Sequence, residues 1–127
     1  MDKTKKNKQF FIRYTNAMSG NPKTRELIEQ YVADPALINH ILFFESVFPC
    51  YSGEIEELTA EENRVIAKLK MKCKHEGWLN GIPPTHREFE TSAVVGYEIE
   101  NEKIIKTWLI SDQLNIMKLL GLEKEAS

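Results

Sequence analysis

Asp112 closes a segment, Lys103-Ile104-Ile105-Lys106-Thr107-Trp108-Leu109-Ile110-Ser111-Asp112, whose β-branched and aromatic residues predict a strand. Side chains alternate along a strand, so Ile104, Trp108, Ile110 and Asp112 share one face, with Lys106 among them. A carboxyl group on an apolar face has its charged form disfavoured. Its pKa rises towards the range where it can exchange protons near neutral pH. The same position suits a helix N-cap, with the carboxylate accepting hydrogen bonds from the first turn at Asn115 or Ile116. Residue types alone leave both roles open. His75 ends another alternating run and falls on its apolar face, where it is either a satisfied core residue or a partner for such an acid. Trp108 is either core or a platform for a flat ligand.

Other chemistries find less support. Cys50 and Cys73 lie in separate elements without metal-site spacing and read as reduced, buried thiols. No metal is implied by that spacing; His40, His75 and His86 are also too dispersed for a local ligand motif, and only assembly in the fold could bring them together. His40 reads as a helix-surface residue. The formal net charge of −2 provides no general attraction to nucleic acid or to an anionic membrane. The row Lys68, Lys70, Lys72 and Lys74 lacks interleaved aromatics and reads as a solvated face opposite Glu88, Glu90 and Glu98. Met1 to Lys8 holds four lysines with no apolar core behind them, and no run approaches the roughly 20 apolar residues of a membrane span. A cytoplasmic protein without membrane or nucleic-acid partners is expected.

The elements that must position these groups follow from periodicity. At 127 residues the chain is expected to form one domain, 1–127, with a core from about 5 to 122. Phe10, Phe11, Tyr14, Ala17 and Met18 recur at helical spacing over residues 4 to 18, before the stop Ser19-Gly20-Asn21-Pro22. A short helix from about Thr24 carries Leu27, Ile28, Tyr31 and Val32. Asp34-Pro35 opens a third, with Leu37, Ile38, Ile41, Leu42, Val47 and Phe48 buried and Phe43 and Phe44 widening its apolar face up to Pro49. From there the period becomes alternating, which predicts helices first and sheet second, an α+β arrangement. A first strand falls near Gly53 to Thr59. The second places Val65, Ala67, Leu69, Met71, Cys73 and His75 on one face and the lysine row on the other. Residues 76 to 86 form a loop, Phe89 to Ile99 form the third strand with Tyr97 inward, and Asn101-Glu102 turns into the fourth. A terminal helix, Gln113 to Leu120, ends at Gly121.

The order His75-Glu76-Gly77, Gly81-Ile82-Pro83-Pro84-Thr85 and Lys103-Ile104-Ile105-(x)2-Trp108-(x)3-Asp112 resembles the SnoaL-like polyketide cyclase (ester cyclase) family. The resemblance runs from about Leu27 to Leu122 and includes the Phe48-Pro49 step and Leu119-Leu120-Gly121-Leu122. It implies the nuclear transport factor 2-like fold, a cystatin-like α+β barrel. There a cone-shaped, curved antiparallel sheet is wrapped by N-terminal helices, with a short C-terminal helix and a pocket between sheet and helices. It further implies aldol-type cyclisation or isomerisation of a hydrophobic small molecule without metal or organic cofactor. Asp112 matches the family's acid/base and His75 its inward histidine, while Trp108, Tyr97, Met71, Ile110, Phe44 and Tyr14 become the expected pocket walls. The chain departs from many relatives at Cys73-Lys74, at His86 and in the short Asp34-Pro35-Ala36 link. Those departures keep a non-catalytic ligand-binding module of the same fold as the alternative. A homodimer through the outer sheet face, using Ile105, Leu109 and Val94, is also expected.

Overall fold

The computed structural model describes residues 2–111. They form helices α1 (Lys3–Met18), α2 (Arg25–Glu29) and α3 (Pro35–Val47), then strands β1 (Ser52–Glu61), β2 (Arg64–Lys74), β3 (Glu88–Glu100) and β4 (Lys103–Ser111). The strands pair antiparallel in the order β1-β2-β3-β4, an open meander, so the architecture is α+β as periodicity predicts. The terminal helix expected over Gln113 to Leu120 lies outside the described residues.

Each helix begins where its capping chemistry directs. The side chains of Asp2, Thr24 and Asp34 accept hydrogen bonds from the backbone N–H groups of Lys5, Leu27 and Ala36. Phe10, Phe11, Tyr14 and Met18 of α1 are buried with Ile28, Leu37, Ile38 and Ile41 against Val65, Ala67, Leu69, Val95 and Tyr97 of the sheet. Helix α2 is shorter than its apolar stripe suggests. Residues beyond it leave the helix to bond β4: Ile104 donates to the Tyr31 carbonyl at 2.8 Å, and its own carbonyl accepts from Ala33 at 2.8 Å and Asp34 at 3.2 Å.

That docking coincides with a break in the β3–β4 register. Ile99 pairs with Ile104, but Glu98 pairs with Lys106, so Ile105 is an extra residue in β4. Because the side-chain period is 2, one inserted residue exchanges the two faces of everything beyond it. Ile104 is fully buried, whereas Trp108, expected on the same face, is 46% exposed on the opposite one. Its indole covers Gly96, where an added Cβ would approach the ring to 2.0 Å. The expectation that Trp108 walls the pocket is therefore corrected. The same bulge removes its alternation as a ground for placing Asp112 inward.

The lysine row of β2 is solvated as expected, with Lys70 and Lys72 at 3.8 and 3.7 Å from Glu90. Exposed pairs of this kind add little stability. Cys73 is buried but Cys50 is exposed, which corrects the expectation for the latter. No helix among the described residues is long and apolar enough to cross a membrane.

Candidate functional site

Between the helices and the inner sheet face lies a cavity of about 330 Å³, at the small end of ligand-pocket sizes. The sheet contributes Leu69, Met71, Ala93, Val95, Tyr97 and Thr107. Helix α1 adds Tyr14, Thr15 and Met18, and α3 adds Leu37, His40, Ile41 and Phe44. Four of the residues expected to bind ligand, Tyr97, Met71, Phe44 and Tyr14, thus meet around one space. Ile110 pairs with Val94 in the β3–β4 ladder, and its side chain lies outside what the structure describes. Asp112 lies outside the described residues altogether.

His75 is fully buried, as the alternation of β2 requires, but it is not part of the cavity wall. Its ring sits 5.8 Å from that of Phe48, beside the smaller apolar cluster of Val47, Phe48, Cys73 and Phe89. Nδ1 lies 2.9 Å from the Thr85 hydroxyl and accepts the Thr85 backbone N–H at 3.2 Å. An acceptor at Nδ1 puts the proton of the neutral ring on Nε2. The backbone pairs too: His75 donates to the Arg87 carbonyl and receives the N–H of His86, closing the 76–86 loop onto the end of β2. In the described residues its contacts are those of a loop anchor.

The polar groups on the cavity wall divide by what they can do with a proton. Burial pushes the Tyr14 hydroxyl far above its ordinary range, an effect that the Tyr97 hydroxyl opposes in part. Burial raises Tyr97 and Tyr51 as well. All three therefore stay protonated at neutral pH and present phenol O–H groups, not phenolate bases. Lys23, whose side chain is 1% exposed, borders the same cavity. Desolvation lowers its pKa, and Glu45 opposes that shift. Its three donors are all used, on the Asn21 carbonyl at 2.9 Å, the Tyr51 carbonyl at 2.7 Å and Glu45 Oε1 at 3.4 Å. It also lies 3.9 Å from the centre of the Tyr51 ring. Lys23 ties the α1–α2 link to the start of the sheet and has no donor left for a ligand.

His40 is exposed, as expected of a helix-surface residue, and it also lines the cavity, with its ring 5.6 Å from that of Phe44. A signal was present: Leu37, His40, Ile41 and Phe44 follow the i, i+3, i+4, i+7 spacing of a single helix face. Lys23 had no such signal, because its partners come from distant segments. Among the described residues no three His, Cys, Asp or Glu side chains form a group that could hold a metal.

Comparison with known proteins fits this geometry. A family model described as SnoaL-like polyketide cyclase matches residues 35–120. Among solved structures, a candidate SnoaL-like polyketide cyclase from Jannaschia sp. is 14% identical with a TM-score of 0.82, covering 98% of this chain and 97% of that one. A candidate hydroxylase from Streptomyces galilaeus is 16% identical with a TM-score of 0.81, covering 98% and 86%. A SnoaL-like polyketide cyclase from Agrobacterium tumefaciens is 18% identical with a TM-score of 0.73, covering 91% and 98%. At these identities the likeness of structure speaks for the fold alone. No curated protein matches the sequence.

Proposed function

We propose that this chain, which belongs to the SnoaL-like polyketide cyclase family, is a cytoplasmic enzyme carrying out cofactor-free acid/base chemistry, an aldol-type cyclisation or isomerisation, on a hydrophobic small molecule. The observation that carries the proposal is the apolar and aromatic cavity between helices and sheet, with a few protonated hydroxyls on its wall. Such chemistry removes a proton from carbon beside a carbonyl and stabilises the resulting oxygen charge. Buried tyrosine hydroxyls that remain protonated suit the second task. Asp112 is assigned the acid/base role through its match to the family's motif. His75 is assigned the support of the 76–86 loop, to which its Nδ1 and its backbone bond, while its buried Nε2 has no partner among the described residues. With the family's substrates as the guide, Asp112→Ala is expected to fold normally and to lose turnover by about 100-fold or more. Full activity in that variant would end the assignment.

A second reading, a binder that performs no reaction, is favoured by one observation. No carboxylate lies on the described part of the cavity wall, and the lysine there is fully engaged. Retention of ligand without chemical change would select it.

A second copy of the chain is the macromolecular partner we propose, through the outer sheet face. Ile66, Gly96 and Trp108 align in one cross-strand row, and Ile66 and Trp108 are 43% and 46% exposed. Ile105, 38% exposed, adds to that apolar area. Sedimentation at micromolar concentration is expected to show a dimer that Trp108→Glu dissociates. A monomeric parent protein would contradict the proposal.

A further inference from the structure

His40 stands apart from every other titratable residue on the described cavity wall. Tyr14, Tyr51 and Tyr97 are held protonated by burial, and Lys23 is saturated by Asn21, Tyr51 and Glu45. The two other histidines are engaged at Nδ1, His75 with Thr85 and His86 with Glu76 at 3.1 Å, and neither lines this cavity. His40 takes no hydrogen bond from any described residue. It is exposed as a residue yet lines the cavity, which places it at the mouth, in reach of both ligand and water. The tilted Phe44 ring, at 31° to it, fixes one side of the imidazole without occupying its nitrogens.

We propose that His40 is a catalytic base at the cavity mouth, and that the ligand it serves is a flat hydrophobic molecule with an enolisable carbonyl group. The proposal rests on the reading that this cavity is the ligand site. Enough protein surrounds the ring for desolvation to lower its pKa below the ordinary 6.5, so the neutral imidazole prevails at neutral pH. A neutral imidazole has a free lone pair with which to take a proton.

In the step, the imidazole lone pair takes the proton from carbon beside the carbonyl. The C–H electrons form a carbon–carbon double bond and the carbonyl π pair moves to oxygen, giving an enolate and an imidazolium. Tyrosine hydroxyls on the wall can donate to that oxygen. The imidazolium then returns a proton to carbon, or to the oxygen of a second carbonyl once the enolate carbon has attacked it. No oxidant or cofactor enters the balance.

The test uses 2-tetralone, a compact bicyclic ketone with acidic α-protons, in D2O at neutral pH. Binding is followed by protein NMR and loss of the ketone's α-proton signal by proton NMR. The protein is expected to bind the ketone saturably, to shift the His40 ring resonances on binding, and to accelerate deuterium incorporation. His40→Gln is expected to bind within about threefold of the parent and to lose about 100-fold of the exchange rate. Gln is a good helix former and the site is solvent-accessible, so the variant should fold. The unmodified protein's His40 shifts give a second readout that needs no variant. Undiminished exchange in His40→Gln would overturn the proposal. Binding without exchange by the parent protein would overturn it too, while leaving the cavity as a ligand site. Absence of saturable binding would overturn both.

Discussion

Gly77→Ala is expected to lower the stability of the protein by on the order of 3 kcal/mol. Gly77 has an ordinary backbone conformation, so the requirement is for space. An added Cβ would lie 1.8 Å from the Ser46 carbonyl oxygen and 2.8 Å from its carbon. Those are backbone atoms of α3, which cannot swing aside as a side-chain tip could. Glu76 and Gly77 both donate to the Val47 carbonyl at 3.0 Å, holding the end of β2 against the C-terminus of α3. Relieving the clash would break this junction, costing about 1 kcal/mol for each hydrogen bond along with the surrounding packing. The melting temperature is expected to fall by roughly 10 °C. An unchanged midpoint in thermal or denaturant unfolding would show that the junction is looser than described. The consequence reaches the cavity, because α3 supplies Leu37, His40, Ile41 and Phe44 to its wall.

Ala93→Phe should have the opposite profile, with stability kept and ligand binding lost. Ala93 sits on β3, opposite Leu69 of β2, and is part of the cavity wall. Its neighbours along the strand on that face, Thr91 and Val95, line the cavity too. A larger side chain there enters space that is already empty, so it need not displace a packed neighbour. Overpacking normally costs 1–3 kcal/mol, but filling a void recovers contacts that its lining lacks. The expected result is a melting temperature within a few degrees of the parent and affinity for 2-tetralone weaker by about 100-fold, some 2.7 kcal/mol. Unchanged affinity, measured by NMR titration, would place the ligand elsewhere.

Much of this arrangement was legible in the residues. The stripe of α1, the Asp34-Pro35 start of α3 and the lysine-against-apolar alternation of β2 are local patterns, and each formed the element that it predicts. The Asn101-Glu102 hairpin turn is local as well, with positive φ at both residues. The face of Trp108 was not legible, because nothing within Lys103 to Trp108 marks Ile105 as an extra residue. The break occurs where residues 31–34, distant in sequence, bond Ile104. Gly77 looks like any loop glycine, and only its long-range approach to Ser46 makes it indispensable. His75 was placed inward correctly, yet burial could not tell a cavity wall from a loop anchor. For His40 the surface placement was legible, and the helical period it shares with Leu37, Ile41 and Phe44 also put it beside the cavity.

If the space between helices and sheet receives a hydrophobic ligand, the side chains around it must sense that ligand. Met18 and Met71 both line it, from α1 and β2, and their methyl groups report on it directly. Titration of methyl-labelled protein with 2-tetralone is expected to shift both resonances together along one saturable curve, and to leave them unmoved in Ala93→Phe. Methyl signals of Met18 and Met71 that stay fixed in the parent protein while the ketone binds would contradict the account.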